Sequence, residues 1–517
     1  MDENKWLPHL APEMLKDVQR YLCAYLVALE GWRRGLTLTW YSEKVKKRGI
    51  HAPGRLFTLS SDKKTHEFYK TAGDKISKEA LVITGNKEEA KKYFEEYGVP
   101  TPEGRRFTKH IEDKKILNYA KNLGYPVVLK PTNGYRGIGV VVNIVNEKEL
   151  QESLKYVREE LGYLDVLIER YIQGEEYRVF VIDDKVISVL WRIPANIIGD
   201  GEHSIQQLIR MKNKSRKANP RLAICLIKID REVKYYIEKE GFTLNSVLPK
   251  GQQLFLRENS NISTGGDSIE MLEDFPNEFK QVAINSLKSI PNLPHGGVDI
   301  LVERNKSVEE AANVIEINAI PQIGSLVFPM VGEARDIPSA IIDYYFPETK
   351  DDVTTKSTAY FDLRKVLEPL RSKVAKEITV SPAPSWEDMD AVKYNVKGKV
   401  QKVGYRNWVR KKALEHDLYG YAQNLNNGTV DVVVAGEKKN VKSFKAIIEV
   451  GPTKAEVEDI AVTQWDKPIK VGFEIKESQK PKNKPKSKPK QPVKPVQVKK
   501  VSLKSKIKNR LKKIIRR

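Results

Sequence analysis

The chain has 517 residues, 40% of them hydrophobic, a net charge of +22 and two cysteines. That length exceeds what one hydrophobic core ordinarily serves, so two or three domains are expected. Two cysteines exclude a disulfide framework or a four-thiolate metal site, and the charge is not that of a uniformly basic protein, because from Glu477 to Arg517 there are 17 Lys and Arg against one acid, leaving +6 for the other 476 residues. Cys23 and Cys225 have apolar neighbours and read as packing residues. No apolar run approaches the ~20 residues that span a bilayer. "MDENKWLPHL" has neither a basic n-region nor an apolar core, so the expectation is a cytoplasmic protein.

In chain order, residues 1–75 mix a helical stretch, "LKDVQRYLCAYLVALEGWRRG", with strand-like "LTLTW" and "RLFTLSS", a small leading subdomain. Residues 76–346 alternate helical segments such as "KEEAKKYFEEYG" with β-rich runs such as "YPVVLK", "LDVLIERYI" and "YRVFVIDDKVISVLW". In the last run Asp183-Asp184 is a hairpin turn signal. Residues 347–390 lose periodicity and end in "ITVSPAPSW", a connector with a short helix at "FDLRKVLEPL". Residues 391–476 read as strand, helix, two strands, helix and strand, with "NNG" at 426–428 as the hairpin signal, which is the split βαβ plan. Residues 477–517 begin as "KPKNKPKSKPKQPVKPV", whose Lys/Pro alternation builds no core and predicts a disordered, extended tail.

The tail closes on "SLKSKIKNRLKKIIRR", where Leu503, Ile507, Leu511 and Ile514 share one helical stripe among lysines and arginines. Such a helix suits an anionic membrane surface, which would make the protein peripheral at the inner membrane face. Nucleic acid or an acidic protein also satisfies the charge, and a solvated tail is the plain alternative.

In "PVVLKPTNGYRGIGVVV" a β-branched strand delivers Lys130 to a loop in which Gly134, Gly137 and Gly139 let the backbone approach a phosphate. The spacing is neither G-x-x-x-x-G-K-[ST] nor G-x-G-x-x-G, and alone the segment serves equally as a structural turn. In "NVIEINAIPQIGS", strand alternation puts Glu316 and Asn318 on one face and Ile315 and Ile317 in the core. If "HGGVDILVERN" pairs with that strand, Asp299 joins them in an oxygen-rich site suited to Mg²⁺. The other reading is a carboxylate paired with a structural arginine.

The order of these motifs, from about Ile76 to Phe346, resembles the ATP-grasp superfamily, in the branch containing cyanophycin synthetase and the glutathione-synthesising domain of the bifunctional glutathione enzyme. The resemblance implies that Lys87, in "GNKEEAKKYFEEYGVPTPEG", and Lys130 are the nucleotide lysines and that "NGYRGIG" closes over the phosphates. It places Glu169, Arg170, Tyr171 and Ile172 of "LIERYIQGEEYRVFVI" around the adenine and Glu176 near the ribose. Asp299, Glu316 and Asn318 are its metal ligands for Mg²⁺ or Mn²⁺. "LRENSNISTGGDS" would bring Arg257 and Asn261 to the reacting carboxylate or acyl phosphate, and Arg192 lies in "RIPANIIGDG", another segment typical of this branch. The implied activity is an ATP-dependent carboxylate–amine ligase acting through an acyl phosphate, with Arg257 steadying the tetrahedral oxyanion. No Mur-ligase-like or glutamate–cysteine ligase half accompanies the match, so neither product carries over. The basic run "IRMKNKSRKANPRLA" fits either an acidic substrate or a solvated helix face.

A second block, "GKVQKVGYRNW" with "GYAQNLNNGTVDVVVAG", resembles acylphosphatase over residues 391–475. Backbone N–H groups from Gln401 to Arg406, at a helix start, would face one phosphate. The resemblance makes Arg406 the phosphate-binding residue and Asn424 the residue that orients the attacking water. Lys402 stands where the family usually has glycine, which strains the backbone if φ is positive and leaves a binding-only domain as an alternative. Trp408 and His416 read as core and helix-surface residues.

The expected fold class is therefore α/β and α+β multidomain: an ATP-grasp fold, a ferredoxin-like βαββαβ acylphosphatase domain and a disordered basic tail. The expected chemistry is a maker and a breaker of acyl phosphates with carboxylate and amine substrates. Independent activities in one chain, or a membrane- or nucleic-acid-associated nucleotide-binding scaffold with degenerate sites, are the rivals.

Overall fold

The computed structural model describes residues 6–15, 18–42, 52–132, 138–303, 305–350, 358–384 and 389–479. The first core forms around helix Leu22–Arg33, "LCAYLVALEGWR", which is apolar on nearly every side and has all twelve residues buried. A helix of that kind needs cover all round. Strands Thr37–Tyr41, Leu56–Ser60 and Thr65–Tyr69 supply one side, with Leu38, Trp40, Phe57, Leu59 and Phe68 turned inward by strand alternation. Helix Ile337–Tyr345 supplies another.

Most polar groups at the C-terminal end of the buried helix are employed, although Arg33 Nη2 is buried without a partner among the described residues. Arg34 pairs with Glu30 at 2.8 Å and Asp343 at 2.6 Å, and Arg33 donates to the carbonyls of Ala359 (2.8 Å) and His9 (3.0 Å). Trp32 Nε1 donates to the Ser381 carbonyl. These last contacts reach the segment expected as a connector, whose described part is folded. Its helix Leu363–Arg371 buries Leu363, Leu367 and Leu370, and its strand Glu377–Thr379 extends the first sheet beside Thr37–Tyr41.

Two further sheets face one another across a cleft. One has the order Gly104–Phe107, Val166–Arg170, Val127–Pro131, Val141–Ile144, with helices Asp113–Leu123 and Glu147–Leu154 packed on it. The other has the order Asp267–Glu270, Lys185–Ile193, Gly174–Ile182, His295–Glu303, Ala312–Asn318, all antiparallel, backed by helix Asn277–Ser289. Asp183-Asp184 makes the expected two-residue turn, pairing Ile182 with Lys185 while Asp183 takes φ +49°.

The last described region has the expected βαββαβ order, followed by the short strands Ile469–Lys470 and Phe473–Lys476, the second of which joins the sheet. Its sheet runs Glu456–Gln464, Met389–Lys399, Val430–Glu437, Tyr419–Asn424, Phe473–Lys476, and helices Tyr405–Glu415 and Lys438–Val450 bury Val409, Ala413, Phe444 and Ile448 against Tyr394, Val396, Val432 and Val434. The "NNG" segment turns the hairpin, Leu425 N–H bonding Thr429 O at 2.9 Å with Gly428 at φ +90°. Strand Ala359–Tyr360 pairs with Ile469–Lys470, and Lys470 meets Asp362 at 2.8 Å, fastening this region to the first core. The expectations for the tail beyond residue 479, including the stripe from Leu503 to Ile514, lie outside the described residues. Among the described residues no helix is long and apolar enough to cross a membrane.

Candidate active sites

The cleft between the two facing sheets encloses about 2250 Å³. Lys130 enters it from the strand Val127–Pro131, and its Nζ lies 2.5 Å from Glu169 Oε2 on the neighbouring strand. Lys91 approaches the other oxygen of Glu169 at 3.6 Å and also donates to the Pro102 carbonyl. Burial alone would raise the Glu169 carboxyl, but Lys130 and Lys91 outweigh it and hold it below the usual carboxylate range. Lys91 was not foreseen from sequence, although it follows Lys87 by four residues on helix Lys87–Glu96 and so shares its face. Lys87 Nζ reaches the opposite sheet, 2.9 Å from Glu316 Oε2. Arg170, Tyr171, Ile172 and Glu176 also line the cleft, with Arg170 paired to Glu103.

Asp299 and Glu316 are direct partners in the antiparallel register, with Asn318 opposite Gly297. The next pair is Ile300 with Val314, so one strand carries an extra residue. This β-bulge corrects the simple alternation: Val314 and Ile317 are core residues, whereas Ile315 lines the cleft beside Glu316.

Asp299 is 3% exposed and held by two arginines, Arg178 in a two-pronged contact (2.7 Å for Nη2) and Arg192 at 2.9 Å. Burial pushes its carboxyl up, the two guanidinium groups pull it down further, and the outcome is about 2. Arg192 also pairs with Glu176. The Nδ2 of Asn318 is buried without a partner. Glu316, 37% exposed at its side chain, has only Lys87 as its ion-pair partner among the described residues.

Around the rest of the cleft, Arg257 is buried between Asp230 and Glu232 at the start of helix Arg231–Lys239. Asn261 accepts from Ser263 N (2.9 Å) and Oγ (2.7 Å). Gly139 takes φ +77° and packs against Pro131, where a Cβ would come within 2.8 Å of the proline ring; Gly134 and Gly137 lie outside the described residues. In the basic run, Lys212 and Arg216 are both spent on Asp267, at 2.6 and 3.1 Å. Cys23 and Cys225 are buried, as expected of packing residues, and both also border the cleft.

The second candidate site lies at one end of the βαββαβ sheet. Among the described residues, no backbone N–H from Gln401 to Asn407 has an acceptor, and these groups lead into helix Tyr405–Glu415. Lys402 takes φ +63° and Gly404 φ +81°. Gln401 Nε2 bonds the carbonyls of Leu425 and Thr429, both at 2.9 Å, tying the loop to the hairpin after Asn424. Arg406 donates to Lys476 O at 3.2 Å, and Lys476 is in register with Gln423, the neighbour of Asn424. Arg406 and Asn424 thus arrive at the same sheet end. The Oδ1 of Asn424 is buried and has no partner. Trp408 stacks on Tyr405, and His416 stands edge-on to Phe444.

Residues 86–197 match the family model described as carbamoyl-phosphate synthase L chain, ATP binding domain, and residues 392–475 match acylphosphatase. The chain is 31% identical over 272 residues to the glutathione biosynthesis bifunctional protein of Desulfotalea psychrophila, covering 52% of this chain and 34% of that protein. It is 32% identical over 272 residues to the cyanophycin synthetase of Crocosphaera subtropica, covering 52% and 31%. The bifunctional glutathione synthetase structure from Pasteurella multocida aligns with a TM-score of 0.44 and 28% identity, over 57% of this chain and 40% of that one. The chain spans about a third of the length of these curated relatives. The first match covers the lysine side of the cleft and the second the loop site, and the chain joins an ATP-grasp domain, homologous to those of the glutathione biosynthesis and cyanophycin synthetase proteins, to a C-terminal acylphosphatase-family domain.

Proposed function

We propose that this protein is an ATP- and Mg²⁺-dependent carboxylate–amine ligase that works through an acyl phosphate, and that its acylphosphatase domain hydrolyses acyl phosphates. The ligase unit is residues 76–346 and the hydrolase unit residues 391–476. The observation that supports this most is the convergence of Lys87, Lys130, Glu316 and Asn318 in one cleft, with Asp299 opposite Glu316.

A divalent cation, when bound, supplies positive charge to the nucleotide phosphates. Hard oxygen donors suit it, and Glu316 and Asn318 would supply them: Glu316 has Lys87 to release, and Asn318 would offer its amide oxygen, leaving the unpartnered Nδ2 to donate to a phosphate oxygen. Asp299 joins them only by releasing one of its arginines. Lys130 and Lys87, resting on carboxylates here, are the cations that would turn to phosphate oxygens. The hinge residues Glu169 to Ile172 and Glu176 would frame the nucleoside, and Arg192 and Asn261 the substrate. Arg257, clamped by Asp230 and Glu232, keeps a buried Nε without a partner and would meet the oxyanion formed when the amine attacks.

In the second site, the free N–H groups from Gln401 to Asn407 and the guanidinium of Arg406 would hold the phosphoryl group. The unpartnered Asn424 Oδ1 would accept a hydrogen bond from the attacking water, directing its oxygen at phosphorus. Carboxylate and inorganic phosphate are the products.

The test is release of ADP and phosphate from Mg-ATP by the full chain with pooled amino acids and short acidic peptides, comparing wild type with Lys130→Ala and Arg406→Ala. Substrate-dependent ADP that disappears in Lys130→Ala, with acyl phosphate accumulating in Arg406→Ala, is the expected result. A protein that Mg-ATP neither stabilises thermally nor loses to hydrolysis would leave the scaffold reading in its place.

A further inference from the structure

Three arginines that line the cleft hold carboxylates: half-buried Arg178 and Arg192 meet Asp299, and buried Arg257 meets Asp230 and Glu232; buried Arg216, nearby in sequence, meets Asp267. Arg221 does not. It is 8% exposed, its Nη1 lies against Cys225 Sγ at 2.6 Å, its Nε has no partner, and it has no ion-pair partner among the described residues. A guanidinium buried without a counter-charge is costly, and the cost is recovered when an anion arrives.

Its surroundings add more positive charge. The side chain lies against Gly324, so close that a Cβ there would stand 2.8 Å from Arg221 Cδ, and the same point is 2.9 Å from Leu22 Cδ2. This brings it to the N-terminal helix, whose Cys23 feels the fields of both Arg221 and Lys70. Lys70 sits in a left-handed turn (φ +60°), and its backbone N–H bonds the Arg55 carbonyl at 2.7 Å, so the two residues stand opposite each other just beyond the paired strands Leu56–Ser60 and Thr65–Tyr69. Thr71 Oγ1 donates to Pro321 O at 3.2 Å, anchoring that turn to the segment that follows Asn318. Arg55 and Lys70 border the same cleft and have no ion-pair partner among the described residues. Three cations lining one cleft without ion-pair partners among the described residues, one of them a buried arginine, have the form of a site for an oxyanion.

We propose that Arg221, Lys70 and Arg55 form an anion-binding site, built jointly by the N-terminal subdomain and the ATP-grasp domain, that takes an acidic group of the acid substrate other than the reacting one. The substrate is then a molecule with two acidic groups, such as an acidic amino acid or the acidic end of a peptide. Calling that molecule a substrate rests on the ligase reading; the anion site does not.

The experiment is calorimetric titration of the full-length protein at constant ionic strength with glutarate, O-phosphoserine and butyrate, followed by ADP release with the same compounds and pooled amines. Glutarate binding at least tenfold tighter than butyrate is expected. Lys70→Gln and Arg55→Gln should each weaken it several-fold and Arg221→Gln more, with thermal stabilisation by Mg-ATP retained. O-phosphoserine binding tighter than glutarate, with the same dependence on these residues, would support the site and make its anion a phosphate. Equal binding of all three compounds, or unchanged affinity in Lys70→Gln and Arg55→Gln, overturns the site, and these two partly exposed positions keep the test valid if Arg221→Gln fails to fold. Tight glutarate binding without ADP from any amine would sink the ligase reading and leave the anion site standing. Efficient ADP release with butyrate would do the reverse.

Discussion

Asp299 and Glu316 face each other across two antiparallel strands, and the register slips by one residue immediately beyond them. The slip turns Ile315 out of the core and into the cleft beside Glu316, while Ile317 stays buried at 1% exposure.

Two isoleucines two residues apart should therefore respond differently to truncation. Ile317→Ala is expected to cost about 2–4 kcal/mol, because it leaves a cavity in a packed core. Ile315→Ala should cost about 1 kcal/mol or less and instead weaken nucleotide affinity. Chemical denaturation and nucleotide titration of both variants check this, and equal destabilisation would contradict the bulge.

Asp299 is a source of acid sensitivity. Its folded-state carboxyl, at about 2, lies below the unfolded value, so its contribution is present above pH ~4 and disappears as pH falls toward 2. The difference amounts to roughly 2–3 kcal/mol. Asp299→Asn should destabilise the protein at pH 7 and flatten the thermal stability profile between pH 4 and 2, because Arg178 and Arg192 lose their counter-charge.

Lys130→Met should reduce substrate-dependent ADP release by about a hundredfold or more, the effect of removing a positioned charge from a phosphoryl-transfer site. It should also shrink the stability gained from Glu169, whose depressed carboxyl stabilises the fold above the unfolded value near ~4.3 and ceases to as pH falls through its lower folded value. Lys91 remains beside Glu169, so the variant stays folded at neutral pH. Enzyme assay and pH-dependent melting separate the two effects.

Lys402 occupies the left-handed region at φ +63°. Lys402→Gly should stabilise the acylphosphatase domain by about 0.5–1 kcal/mol, since the strain of a side chain there exceeds the entropy cost of glycine. The same change removes a cation from the phosphate loop and should weaken inhibition by inorganic phosphate. Arg406→Ala should lower acyl phosphate hydrolysis by about a hundredfold with little change in melting, because its hydrogen-bond partner among the described residues is a carbonyl on an edge strand.

Some of this was determined by sequence alone. The Asp183-Asp184 and "NNG" turns, the βαββαβ order and the positions of Lys87, Lys130, Arg406 and Asn424 are legible because turn chemistry, strand alternation and short motifs act over a few residues. The partners of those residues are not. Arg178 lies 121 residues from the Asp299 it holds, and only the register of two strands makes them neighbours. Alternation also misplaced Ile315, since a bulge depends on how two strands share hydrogen bonds and leaves no fixed mark in either sequence. The basic run around Lys212 offered either a substrate or a solvated face. Tertiary structure divides the run, spending Lys212 and Arg216 on Asp267 and leaving Arg221 buried without an ion-pair partner among the described residues, because charge pairing follows proximity in space and burial, neither of which spacing along the chain encodes.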